Sequence, residues 1–192
     1  MDSMPLDTPE GVTARLGWDP RITDHDRKRI LARQLVAAKM GVEEKAIRVE
    51  REAPAQFGFH TQLFATLEHQ ELPILIKTAT FRGATVAAIA EPGSQVGLDI
   101  RDTQPNDELL HEMRAHSHLF DESDVPKLIA HWTRVEAVRE ADGRGSRVKP
   151  DHVRLDTALT KGWVPDRKVH FDLYDLSRES WVITLAYHAP EV

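Results

Sequence analysis

Three apolar runs of strand length, LPILIKTA (72–79), TVAAIA (85–90) and QVGLDI (95–100), stand close together in the sequence. Turn signals separate them, Pro92-Gly93 among them. Two stretches of helical character follow, at 106–119 and 124–143, and then a strand pair, KVHFDLYDL (168–176) and WVITLAY (181–187), joined by SRES as a hairpin. A further helix is expected near Thr23, capped by that threonine with Asp26 three residues on and stopped by Gly41. Its apolar positions Leu31, Leu35 and Ala38 recur at helical spacing, and IRVER (47–51) alternates like a strand. Helix, strands, helices, strands in that order imply an α+β fold with a repeated half, although no repeat is visible in the residues themselves. Residues 1–22, punctuated by Pro5, Pro9, Gly11, Gly17 and Pro20, read as an irregular lead-in with at most one short strand, and the stretch from 52 to about 72 is ambiguous.

The third run ends unusually. In VGLDIRD (96–102), Asp99 and Arg101 fall on one face of an extended chain, because side chains alternate with a period of two. A carboxylate so placed can hold a metal, cap a helix or pair with its own neighbour. A second carboxylate stands out on the helix at 124–143. There Trp132, Val135 and Val138 form the core face, and Glu136 lies roughly 40° around the helix from Trp132, at the edge of that seam. Two such oxygen ligands from distant segments, completed by water and phosphate oxygens, are what Mg²⁺ accepts. The competing reading makes Glu136 a solvated helix residue and Asp99 a strand-end cap.

Composition narrows the classes. The chain has 192 residues, enough for one domain or two small halves, and 41% hydrophobic and 29% charged residues give a globular balance. With no cysteine there is no disulfide or thiolate chemistry, and a reducing, cytoplasmic setting is expected. A net charge of −6 argues against a nucleic-acid binder, and no apolar run reaches the ~20 residues of a membrane span. His111, His116 and His118 lack the i, i+4 spacing that stacks two imidazoles for zinc. GRGSRVK (143–149) offers Arg144, Arg147 and Lys149 to a phosphate without P-loop spacing, and Arg27, Lys28 and Arg29 make a basic stripe on the first helix.

Taken together, the pieces resemble the 4'-phosphopantetheinyl transferase superfamily, in its longer single-chain type that activates peptide and polyketide synthases. That type carries a strand motif near G-[IV]-D-[IV]-E and, later, W-x-x-K-E-[AS] on a helix; here they read VGLDIR and WTRVEAV. ILARQLVAAKMGVEEKAIRVER is similar to the family's arginine-bearing first helix and next strand, TATFRGATVAAIA occupies the S-x-S-H-S-G segment, and VHFDLYDLSRESWVITLAYHAPE resembles the closing hairpin. The resemblance implies a pseudo-duplicated fold of two similar α/β halves, 1–96 on the coenzyme A side and 97–192 on the metal and carrier side, with the site at their seam. It implies Mg²⁺, coenzyme A as co-substrate and an apo acyl or peptidyl carrier protein as partner, in a monomer acting without nucleic acid or membrane. By position Asp99 and Glu136 would bind the metal, Glu136 would also activate the acceptor serine, and Arg33, Arg82, Arg101 and Arg144 would meet coenzyme A.

Several positions depart from the pattern. Arg101 stands where the family has a glutamate ligand, Val135 and Glu140 where it has lysines, Phe81 where it has a histidine, and ELP (71–73) where it has G-K-P. Arg101 and Glu140 together reverse the family's glutamate and lysine, so an exchange of roles would restore the balance of charge. The alternative is a homologue that binds a carrier protein or nucleotide without transfer.

Overall fold

The structure is a computed structural model, and it describes residues 1–51, 62–116 and 124–191. The chain is mixed α+β and divides into two compact units. One is Met1–Ser94 with the last residues of the chain from Pro190, and the other is Gln95–Ala189.

In the first unit, β1 (Asp2–Leu6) and β2 (Val12–Trp18) form an antiparallel hairpin, so the stretch read as an irregular lead-in is in fact two paired strands. The punctuation misled for physical reasons. Pro5 lies on the edge strand, where a missing N–H costs no ladder bond. Gly17 is there for close packing: a Cβ on it would stand 2.9 Å from Leu31 Cδ2 of the first helix. That helix, α1 (Asp24–Met40), begins as expected. The Thr23 hydroxyl oxygen accepts from the Asp26 N–H at 3.1 Å, and Gly41 ends it in the left-handed region at φ 66°.

After α1 come β3 (Ile47–Arg51), β4 (Leu63–Leu67), β5 (Gln70–Glu71), β6 (Leu75–Phe81) and β7 (Ala84–Ala90). Two antiparallel sheets result, in the orders β1-β2-β7-β6 and β3-β4-β5. β7 is central, and all seven of its residues are buried. Leu31, Leu35 and Val36 of α1 pack on Ile47, Val49, Ala65, Ile76 and Ile89, making one core from both sheets and the helix. Part of the stretch left ambiguous, 52–61, lies outside the described residues; the remainder supplies β4 and β5.

The basic stripe on α1 needs correcting. Arg27 is only 2% exposed, and its guanidinium donates to Thr85 Oγ1 at 3.1 Å, to the Asp19 carbonyl at 3.0 Å and to Asp24 and Ile22. A buried cation is tolerated only when so enclosed by acceptors, and it is closed to any partner.

The second unit contains β8 (Gln95–Asp102), α2 (Asp107–Ala115), α3 (Val125–Asp142), β9 (Arg154–Leu155), β10 (Lys161–Trp163), β11 (His170–Asp175) and β12 (Trp181–His188). Its sheet runs β8-β12-β11-β10-β9, with every pairing antiparallel. Asn106 and Asp124 cap α2 and α3, and Gly143 ends α3 at φ 84°. The expected end of the earlier helix, 117–119, lies outside the described residues. Val135, Ala137, Val138 and Ala141 of α3 join Phe171, Leu173 and Ala186 of the sheet in one core, and Trp132, Leu128 and Ile129 join Met113 of α2 in another. No helix among the described residues is long and apolar enough to cross a membrane.

Candidate functional site

The site is built where α3 lies on β8. Along β8, Val96, Leu98 and Ile100 are buried on one face, and the alternate residues Gly97, Asp99 and Arg101 share the other. Gly97 decides how close the helix comes. A Cβ there would sit 2.0 Å from the Ala137 carbonyl oxygen and 2.4 Å from the Ala141 nitrogen, so the helix backbone rests directly on the strand. Asp99 is therefore carried two residues beyond the closest approach, beside the Glu136 side of α3. Thr184 of β12, directly across from Asp99 in the register, shares a 2.9 Å hydrogen bond with Thr133 of α3 and pins the seam.

Asp99 is paired with its own neighbour. Arg101 Nε donates to Asp99 Oδ2 at 3.2 Å and Nη2 to Oδ1 at 3.3 Å, a fork with both groups largely buried. Burial nevertheless dominates. It pushes the Asp99 carboxyl up to about 8; the Arg101 charge and hydrogen bond oppose this, while the charges of Glu136 and Glu140 add to it. Those two glutamates, one turn apart on α3, face Asp99 closely enough to be felt. Glu136 is itself largely buried and accepts a hydrogen bond from Arg139 Nη1, and Arg139 Nε donates to the Val148 carbonyl at 2.7 Å. The Trp132, Val135 and Val138 face is buried beside it, as the helical spacing indicated.

The structure thus joins Asp99 to Arg101 directly and sets Glu136 near enough for its charge to act on Asp99. It does not bring Arg144 to them. Arg144 donates to Asp142 at 2.5 and 3.0 Å and to Asp166 at 2.6 and 2.8 Å, and these bonds hold its guanidinium firmly protonated. Arg33, on α1, and Arg82, whose guanidinium stacks 5.0 Å above the Phe81 ring at the β6–β7 turn, belong to the first unit. Of the three histidines considered for zinc, His116 pairs with Asp151 at 2.7 Å, His111 lies on α2, and His118 is outside the described residues.

Among the described residues no three Asp, Glu or His side chains gather as a ready ligand set. The donor chemistry still suits Mg²⁺, which keeps several waters and is commonly held by one or two carboxylates plus substrate phosphate. With Asp99 protonated, Glu136 and Glu140 balance Arg101 and Arg139; a hard divalent cation would displace the Asp99 proton and favour its charged form. Arg139 is a functional neighbour that the sequence analysis does not single out, and the signal for it is its i, i+3 spacing from Glu136. Thr133 and Thr184, far apart in sequence, left no signal at all. No protein-family model matches the chain, and no curated protein matches it.

Proposed function

We propose that this chain is a Mg²⁺-dependent 4'-phosphopantetheinyl transferase, moving the phosphopantetheine arm of coenzyme A to a serine of an apo acyl or peptidyl carrier protein. The observation that carries the reading is the seating of α3 on the Gly97–Asp99–Arg101 face of β8, which sets Glu136 within electrostatic reach of Asp99, the two carboxylates that the family resemblance pairs. The architecture is compatible with a pseudo-duplicated fold, since each unit lays one long helix, α1 or α3, on an antiparallel sheet.

In this reading the acceptor serine oxygen attacks the phosphorus bearing the pantetheine arm. The P–O bond to the neighbouring phosphate breaks, and adenosine 3',5'-bisphosphate leaves. Asp99 and Glu136 would hold the metal, which when bound neutralises the pyrophosphate oxygens. Glu136, oriented by Arg139, takes the serine proton. Arg101 stabilises negative charge on the departing phosphate while Glu140 supplies the carboxylate that the family keeps on the strand. The resemblance assigns Arg33, Arg82 and Arg144 to coenzyme A as well; Arg144 reaches it only by exchanging Asp166 for phosphate.

One observation favours a second reading. Arg101 engages both oxygens of Asp99, and a cation beside a divalent metal is repelled unless screened. A homologue that binds a carrier protein or nucleotide without transfer would keep this fork intact. Calorimetric titration of coenzyme A with and without Mg²⁺ tests the metal site on which the leading reading depends. Binding at least about tenfold tighter with Mg²⁺, a gain abolished by Asp99→Ala, is expected. Equal affinity with and without the metal would overturn it.

A further inference from the structure

A second concave site lies in the same unit, where the chain turns after α3, and it is lined by neither Asp99 nor Glu136. A cavity of about 340 Å³ is walled by Arg144, Arg147, His152 and Arg154, with Val148, Val164 and Pro165 as an apolar floor and Asp166 at one side. We propose that this cavity binds a small organic phosphate monoester, of mononucleotide size or less.

The charges in the wall are not equivalent. Arg144 is committed to Asp142 and Asp166, a rigid trio with one negative charge left over, so the cavity's positive character rests on the other two arginines. Arg147 and Arg154 differ. Among the described residues neither has a carboxylate partner: Arg147 Nε donates to the Arg144 carbonyl at 3.4 Å, and Arg154 Nη1 donates to the carbonyls of Asp151 and Val153 at 2.5 and 3.2 Å. Carbonyl anchors orient a guanidinium without neutralising it. Two full positive charges with free fork donors therefore face one cavity, in a chain whose net charge is −6. Forked donors match phosphate oxygens.

The floor selects what the phosphate is attached to. Val148 and Val164 are each only 3% exposed, packed into the α3 core, and so form a fixed surface. Exposed Pro165 continues that floor, and an organic body would cover its ring where inorganic phosphate would leave it wet. The volume is at the lower end of small-molecule pockets, which excludes a bulky ligand enclosed whole. The 3-10 turns Gly145–Arg147 and Pro150–His152, each held by its own backbone bond, fix where the basic residues project.

The test uses the full chain and backbone amide NMR spectra, with adenosine 5'-monophosphate, adenosine and inorganic phosphate as three separate probes. The nucleotide is expected to give saturable shifts within residues 144–166 at about millimolar concentration or below, and adenosine none. Arg147→Ala and Arg154→Ala, both exposed and without carboxylate partners, should each weaken the nucleotide about tenfold without altering the rest of the spectrum. Shifts lying elsewhere, absent, or unchanged in both variants would overturn the proposal. Inorganic phosphate binding as tightly as the nucleotide would also overturn it, leaving a patch selective for no organic body. The readout is independent of transferase activity, so the proposal and the transferase reading fail separately.

Discussion

Gly97→Ala is the sharpest perturbation the second unit offers. The added methyl would lie 2.0 Å from the Ala137 oxygen and 2.4 Å from the Ala141 nitrogen, where non-bonded atoms normally stand about 3.5 Å apart. Both obstacles are helix backbone, which no rotamer change can move. Helix α3 must therefore retreat by about 1 Å, and a gap of that size forfeits a quarter to a half of each dispersion contact along the Ala137–Val138–Ala141 seam. Overpacking alone costs about 1–3 kcal/mol, so the sum should reach about 3 kcal/mol or more. With a urea slope of about 2 kcal/mol/M, the midpoint should fall by about 1.5 M. Tryptophan fluorescence in a Trp18→Phe background reads the right unit, because the other three tryptophans, Trp132, Trp163 and Trp181, all lie in it. Gly162→Ala is the matched control: its methyl would meet Val138 Cγ2 at 2.5 Å and Leu155 Cδ2 at 2.9 Å, side-chain ends that can rotate away, so about 1 kcal/mol is expected. An unchanged midpoint for Gly97→Ala would refute the seating of α3 on β8, and with it the placement of Glu136 beside Asp99.

Asp99 makes stability depend on pH. Its carboxyl holds a proton more tightly in the folded chain than in the unfolded one, so stability falls as pH rises from about 4 towards about 8 and levels off above. Asp99→Asn should flatten that window in urea titrations at several pH values; an identical slope in both proteins would show that Asp99 is not so buried. Arg144→Ala leaves Asp142, whose side chain is 3% exposed, without its cation, and a loss of about 3 kcal/mol is expected by thermal or urea unfolding. A change within about 0.5 kcal/mol would place that carboxylate in solvent.

What was legible in the sequence follows what is local. Thr23, Gly41 and Gly143 mark their helix ends because caps act within a few residues, and the alternation in VGLDIRD put Asp99 and Arg101 on one face. The side chains of Trp132, Val135 and Val138 turned Glu136 to the seam edge by helical geometry alone. The first hairpin is not legible because Pro5 and Gly17 favour loops by propensity, although an edge position and a close helix approach accommodate them here. Arg27 was misread for the opposite reason. Its charge suggested solvent, and only the fold supplies Thr85 and the Asp19 carbonyl that let it be buried. Partners that distant, like Thr133 and Thr184, cannot be seen before the chain is folded.

The central claim is transfer, and intact-mass spectrometry of apo carrier proteins reads it directly. Carriers from fatty-acid, polyketide and peptide synthesis would be incubated with coenzyme A, Mg²⁺ and this protein, beside an Asp99→Ala control. The account predicts a phosphopantetheine-sized increase on at least one carrier, lost in the control. No increase on any carrier, from protein shown to be folded and to bind coenzyme A, would contradict it and leave the reading in which Arg101 has closed the site to chemistry.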